Sequence, residues 1–289
     1  MINSNIQMTK LSAFINLTRI NKPIGIFLLL WPTLTALFLA SDGVPNTHIL
    51  FIFILGTILM RSAGCIINDL IDCNIDTFVK RTRNRPIAAR IIKPKEAITL
   101  LLLLLICSIF LVMQLNFFSF GIALLALLFS LTYPFTKRFF VMPQVYLGIT
   151  FGFGILMAFA ATQEKLPLEA LILFIANIFW ALSYDSHYAI MDMEDDKKLN
   201  INSTALFFGN KTMIMITLSY FFMFLNLIVI GILKEFNLSF FLMLTIALSI
   251  ALYGCFDSRH MEPQKNFEAF LRNNYVGIFV FVGFISQLY

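Results

Sequence analysis

The sequence predicts an all-α membrane protein with nine transmembrane helices and a cytoplasmic N-terminus. Three observations lead there. Hydrophobic residues make up 59% of the 289 residues and charged residues 13%, against about half and about a quarter in a soluble domain. The apolar residues gather in runs close to the roughly 20 residues that a helix needs to cross a bilayer, without the alternation of strands. On a nine-span path all but three of the 21 Lys and Arg residues fall on one side. The exceptions are Lys165 and Lys234 opposite and Arg61 within a span. Such a bias marks the cytoplasmic face.

In chain order, the stretch 1–23 lacks the basic start and long apolar core of a signal peptide and reads as an interfacial amphipathic helix. The spans follow at about 24–41, 48–67, 97–113, 115–133, 141–162, 168–190, 212–232, 237–255 and 269–288. The third and fourth meet at a very short turn near Gln114 to Asn116, and the last opens with Arg272, Asn273 and Asn274. No linker or low-complexity tract divides the chain, so 1–289 reads as one transmembrane domain. The acidic clusters after spans two and six hint at a four-helix repeat, without clear identity between the halves. The net charge of +5 follows from membrane topology and is no sign of nucleic-acid binding. Cys65, Cys73, Cys107 and Cys255 are scattered without a CxxC pair and imply no disulfide framework.

The polar chemistry is concentrated where span two ends, in RSAGCIINDLIDCNIDTFVKRTRNRPIAAR, Arg61 to Arg90. On a continuous helix Asn68, Asp72 and Asp76 would share one face. Stacked acids repel unless a cation lies between them, and oxygen-only ligands suit a hard ion such as Mg²⁺. The basic residues Lys80, Arg81, Arg83, Arg85 and Arg90 follow directly. Arg81 and Arg85 are spaced to grip one diphosphate, whereas Arg83, Lys93 and Lys95 read as topology charge. A second cluster, YDSHYAIMDMEDDKK, leaves span six and sets Asp185, Asp192 and Asp196 on one helical face. After span four, YPFTKR adds Tyr133 and Lys137. By parity all three constellations reach the same membrane side and resemble parts of one metal–diphosphate site.

Arg61 lies two turns deeper than Asn68 on the same face. A buried guanidinium is costly without a partner. It pairs with a protein carboxylate or it awaits an anionic ligand. A metal site beside a lipid-facing cavity suits a diphosphate on a hydrophobic chain. Its departure would leave an allylic cation for an electron-rich acceptor.

NDLIDCNID, YDSHYAIMDMEDD and YPFTK fit the NDxxDxxxD, DxxxxxxDxxxD and YxxxK motifs, so the chain resembles the UbiA superfamily of intramembrane aromatic prenyltransferases. TRINKPIGIFLLLWPT, VKRTRNRP and FGFGILMAFAA are similar to the branch of bacterial enzymes that prenylate 4-hydroxybenzoate in ubiquinone biosynthesis. These blocks span roughly 18–210, and beyond them the likeness lies in hydropathy alone. The resemblance implies nine helices around a central cavity open to the cytoplasmic side of the bacterial inner membrane. It implies Mg²⁺ held by Asn68, Asp72, Asp76, Asp185, Asp192 and Asp196. It implies diphosphate bound by Arg81, Arg85, Tyr133 and Lys137, and an aromatic carboxylate met by Arg61. Asp72, Asp76, Asp192, Asp196 and Arg61 would carry catalysis, with polyprenyl diphosphate and 4-hydroxybenzoate as partners in the lipid bilayer. Asp69, Asp195 and Arg138 belong to the matched blocks but point off the main face.

Other acceptors remain open at this point: dihydroxynaphthoate, homogentisate, haem or chlorophyllide. A CDP-alcohol phosphotransferase would need a DG…AR pattern, and Asp69 is followed by Leu70. A cation-coupled transporter would place its carboxylates at the midplane, not at helix ends beside an arginine cluster.

Overall fold

The computed structural model describes residues 9–79 and 81–288. Residues 1–8, which open the expected interfacial helix, and Lys80 of the basic cluster lie outside the described residues. The described chain is helical, with no strand among those residues. In order the helices are α1 (Lys10–Thr18), α2 (Ile24–Ala40), α3 (Thr47–Ile71), α4 (Cys73–Asp76), α5 (Pro94–Val112) and α6 (Phe117–Thr136). After them come α7 (Pro143–Gln163), α8 (Leu168–Leu199), α9 (Thr204–Phe208), α10 (Thr212–Leu233), α11 (Leu238–Asp257) and α12 (Pro263–Ile285).

Each expected apolar segment holds one long helix: α2, α3, α5 to α8, and α10 to α12. Seven helical stretches are long and apolar enough to cross a membrane among the described residues. The two that fall outside that set are α2, apolar but only 17 residues long, and α12, whose first turns carry Lys265, Glu268 and Arg272. Helix ends follow local chemistry that the apolar runs do not reveal. Asn46, Asn116 and Asn237 accept hydrogen bonds from the first backbone N–H groups of α3, α6 and α11. Proline opens α5, α7 and α12, where its missing N–H is no loss.

The helix α8 is 32 residues long, about 48 Å at 1.5 Å per residue. That exceeds the roughly 30 Å of a hydrocarbon core, so its acidic C-terminal turns extend beyond the apolar layer. The helix packs against α7, α10 and α12. Small residues on α7 permit close approach. A Cβ on Gly148 would lie 2.8 Å from the Ile178 Cα, and one on Gly154 would lie 2.4 Å from the Thr33 hydroxyl.

The N-terminal helix also makes contacts within the protein. Leu11 and Ile15 of α1 are exposed, but its other side packs on protein. Ala13 and Leu17 are fully buried in a satellite cluster with Ile66 of α3, Ile87 and Ile92 of the following loop, and Ala97 of α5. The helix therefore braces the loop that carries the basic residues.

Candidate active site

The first acidic cluster departs from the continuous helix expected of it. Helix α3 stops at Asp72 (φ −93°, ψ 2°), and a four-residue helix, α4, restarts the chain. Backbone bonds from Asp72 N to Asn68 O (2.9 Å) and from Asp76 N to Asp72 O (2.8 Å) keep the spacing near-helical. Asn68, Asp72 and Asp76 therefore occupy the last turn, the corner and the restart. The break lets the acids diverge instead of stacking with like charges together. Each acid meets a cation. Arg85 Nη1 donates to both Asp76 oxygens at 2.8 and 3.1 Å, and Arg138 lies 3.8 Å from Asp72.

The second cluster is as expected, with Asp185, Asp192 and Asp196 all on the unbroken α8. Arg81 joins the two clusters. Its Nε and Nη2 donate to the two Asp192 oxygens at 2.9 and 2.6 Å, a bidentate pair. Its guanidinium also lies over the Tyr188 ring at 5.1 Å. At the end of α6 the Lys137 carbonyl accepts the Asn202 N–H at 2.9 Å, which ties that corner to the segment after α8. The Lys137 ammonium is within electrostatic reach of Asp72, Asp185 and Asp196. The Tyr133 hydroxyl is within reach of Asp185, Arg61 and Asp72. Residues from three separate stretches thus converge at one end of the bundle.

Below them a half-open cavity of about 150 Å³ lies between α2, α3, α5, α6 and α7. Arg61, Asn68 and Tyr133 line its polar end, and Ile52, Phe53, Leu111, Val112 and Leu115 line the rest. Arg61 makes no ion pair among the described residues. Its Nη1 donates to Cys65 Sγ at 3.1 Å, and its guanidinium lies 5.8 Å from the Phe151 ring centroid. Its Nε is buried with no hydrogen-bond partner, as are Asn68 Oδ1 and the Tyr184 hydroxyl. Of the two alternatives for Arg61, no protein-carboxylate pair forms among the described residues. Gly25 of α2 makes room for this side chain, since a Cβ there would sit 2.6 Å from both Arg61 Nε and Nη2.

Among the described residues no three His, Cys, Asp or Glu side chains form a ready metal cluster. Asp192, Asp76 and Asp72 are drawn to Arg81, Arg85 and Arg138 instead. The donors still fit a hard divalent ion in kind, because they are all oxygens and Asn68 Oδ1 is a buried acceptor without a donor. Electrostatics agree with such a use. Burial pushes the Asp72 carboxyl above the usual carboxylate range, and Lys137 offsets this in part. Burial disfavours the charged form of Arg85, but Asp69 and Asp76 outweigh it and hold its pKa above the ordinary value.

Sequence reasoning left out Asp69, which lies off the main face as the helical geometry indicates. It is 2% exposed and paired with Arg19 and Arg85. The signal was an acid next to Asn68 with no assigned cation and an Arg in the block that opens the resemblance. Asp195 lies 3.9 Å from Lys198 on its own helix.

Residues 29–281 match the model of the UbiA prenyltransferase family. A protein named 4-hydroxybenzoate octaprenyltransferase in Nitrosomonas eutropha is 47% identical over 276 residues, covering 96% of both chains. One of the same name in Methylobacillus flagellatus is 46% identical over 280 residues, covering 97% of this chain and 95% of the other. Among solved structures, the apo structure of a UbiA homolog from Aeropyrum pernix superposes with a TM-score of 0.76 at 21% identity, covering 92% of this chain and 98% of the other. A UbiA homolog from Archaeoglobus fulgidus bound to DMAPP and Mg²⁺ superposes with a TM-score of 0.74 at 16% identity, covering 95% and 99%. The match over most of its length and these full-length likenesses make the chain a member of the UbiA prenyltransferase family.

Proposed function

We propose that the protein transfers a polyprenyl group from polyprenyl diphosphate to the ring carbon ortho to the hydroxyl of 4-hydroxybenzoate. The observation that carries this reading is Arg61, a buried guanidinium with an unpartnered Nε at the polar end of an apolar cavity. A carboxylate para to the phenol satisfies that charge and turns the ring toward the diphosphate end. The apolar walls fit an isoprenoid chain. The names of the relatives, at 43–47% identity, point to the same acceptor.

In this reading Arg81, Arg85 and Lys137 bind diphosphate oxygens, and Tyr133 contributes a hydroxyl. Asn68, Asp72, Asp76, Asp185, Asp192 and Asp196 hold Mg²⁺, which when bound stabilises charge on the departing diphosphate. Arg81 and Arg85 exchange their present carboxylate partners for phosphate oxygens as those carboxylates take the metal. The allylic C–O bond breaks, the cation takes electrons from the ring ortho to the phenol, and the new C–C bond forms. The ring proton then leaves to a carboxylate of the site or to the released diphosphate. Buried apolar walls keep water from the cation.

We also infer that nine helices cross the membrane, with the acid-bearing end on the cytoplasmic side of a bacterial inner membrane. The supporting observation is the Lys and Arg bias, since the end that carries Arg81, Arg85 and Lys137 is the lysine- and arginine-rich one. The test of function is product identification. Purified protein receives 4-hydroxybenzoate and a series of polyprenyl diphosphates, with Mg²⁺ or with a chelator. A Mg²⁺-dependent 3-polyprenyl-4-hydroxybenzoate supports the proposal. Prenylation of dihydroxynaphthoate or homogentisate with none of 4-hydroxybenzoate overturns it.

A further inference from the structure

The carboxylate of Asp69 stands between two guanidiniums. On one side Arg19 Nη2 donates to both of its oxygens at 2.9 Å. On the other, Arg85 Nη1 is 3.2 Å from Asp69 Oδ1 and 2.8 Å from Asp76 Oδ2. Arg19 is itself fixed. It ends α1 in a left-handed conformation (φ 59°), and its Nη1 donates to the Asn16 carbonyl at 2.6 Å. Ala13 and Leu17 of the same helix anchor it to α3 and to Ile87 and Ile92 of the loop that carries Arg85. A chain of contacts therefore runs from α1 through a buried acid to a residue facing the site.

We propose that Arg19 is a positioning residue for diphosphate binding: through the buried Asp69 it holds Arg85 in place, so that α1 forms part of the site. This rests on the reading of Arg85 as a diphosphate ligand. Arg85 now divides its charge between Asp69 and Asp76. When Asp76 turns to another cation, Asp69 becomes the remaining carboxylate anchor of Arg85. With Arg19 in place, Asp69 is held from behind and its charge is shared, so the outer edge of Arg85 stays free for phosphate oxygens. Without Arg19, an almost fully buried carboxylate has Arg85 as its sole ion-pair partner among the described residues and draws it inward. A buried charge that loses one of two partners pulls harder on the other.

The test uses purified protein in detergent with geranyl diphosphate, 4-hydroxybenzoate and Mg²⁺. Binding of unreactive geranyl thiodiphosphate is measured alongside. In Arg19→Gln the KM for the diphosphate and the Kd for the thiodiphosphate rise roughly ten- to hundredfold, the usual cost of removing a supporting partner behind a ligand residue. The KM for 4-hydroxybenzoate stays unchanged, and Arg19→Lys recovers most of the loss. Asp69→Asn cuts the same link from the other end and shows the same split, which covers a poorly folding Arg19 variant. Trypsin cleaves the 77–93 loop faster in Arg19→Gln, and thiodiphosphate with Mg²⁺ slows that cleavage in the wild type. Equal weakening of both substrates, or none, overturns the positioning role. Wild-type protein that fails to bind the thiodiphosphate overturns the transferase reading instead.

Discussion

The two acidic clusters solve the same problem by different means. On α8 the acids Asp185, Asp192 and Asp196 are placed by one unbroken helix that neighbouring helices bury as far as Ile190. At the end of α3 the helix breaks at Asp72, and Asp76 sits on a helix only four residues long. An isolated turn of that length has no stability of its own. Its position comes from outside, through Arg85, Arg19 and the apolar cluster of Ala13, Leu17, Ile87 and Ile92. One half of the site is rigid by secondary structure and the other by tertiary contacts. The half held by tertiary contacts is the one that carries Arg81 and Arg85, which in the proposed reaction exchange carboxylate partners for phosphate oxygens.

The largest test treats the halves as equal in chemistry. Asp72→Ala and Asp192→Ala each abolish turnover, a loss on the order of a thousandfold or more, because each removes a metal ligand and its help to the leaving group. Both variants insert and purify normally. Near wild-type rates in either, with Mg²⁺ as the sole metal, break the two-cluster site.

Next in size is Arg61→Ala, which belongs to neither half. It removes a buried charge partner, worth roughly 2 kcal/mol or more, and raises the KM for 4-hydroxybenzoate far more than that for the diphosphate. Parallel changes in both constants, with a lower melting temperature, mark Arg61 as structural instead.

Arg85→Ala should raise the diphosphate KM while sparing the acceptor, and Arg85→Lys should recover only part of the loss, since a point charge cannot replace a planar fork. Unchanged diphosphate kinetics in Arg85→Ala remove it from the site.

The smallest effects sharpen the contrast itself. Ile87→Ala opens a hole in the satellite cluster, and Ala189→Gly weakens the helix of α8 by about 1 kcal/mol. The first speeds proteolysis of the 77–93 loop and raises the diphosphate KM. The second lowers the melting temperature slightly with kinetics unchanged. Equal loop protection in both variants means that the apolar cluster does not hold the half of the site at the end of α3.

These differences mark how far the sequence could be read. The nine apolar segments each became a long helix because burial in lipid or protein favours a satisfied backbone whatever the neighbours do. The α8 acids were legible for the same reason. The break at Asp72 was not, since period-four spacing looks the same whether the helix axis continues or bends. Arg61 could be flagged by its depth, but whether a protein acid met it depended on residues far along the chain. The Arg19–Asp69 pair joins positions 50 apart, and no local pattern announces such a contact. The N-terminal helix showed its amphipathic character but not that Ala13 and Leu17 would pack against protein.

Gly25 carries no functional group, yet it leaves the space that the Arg61 guanidinium fills. With Arg61 in its proposed role, acceptor choice is then written partly as an omission on α2. A screen for enzymes that exchange a charged aromatic acid for a neutral phenol would return substitutions at this position, although the residue there touches no substrate. An added methyl would make the guanidinium shift and leave every carboxylate named for catalysis intact. A relative that keeps Arg61 but enlarges position 25 would have a different pocket, and inventories of reactive side chains would miss the difference.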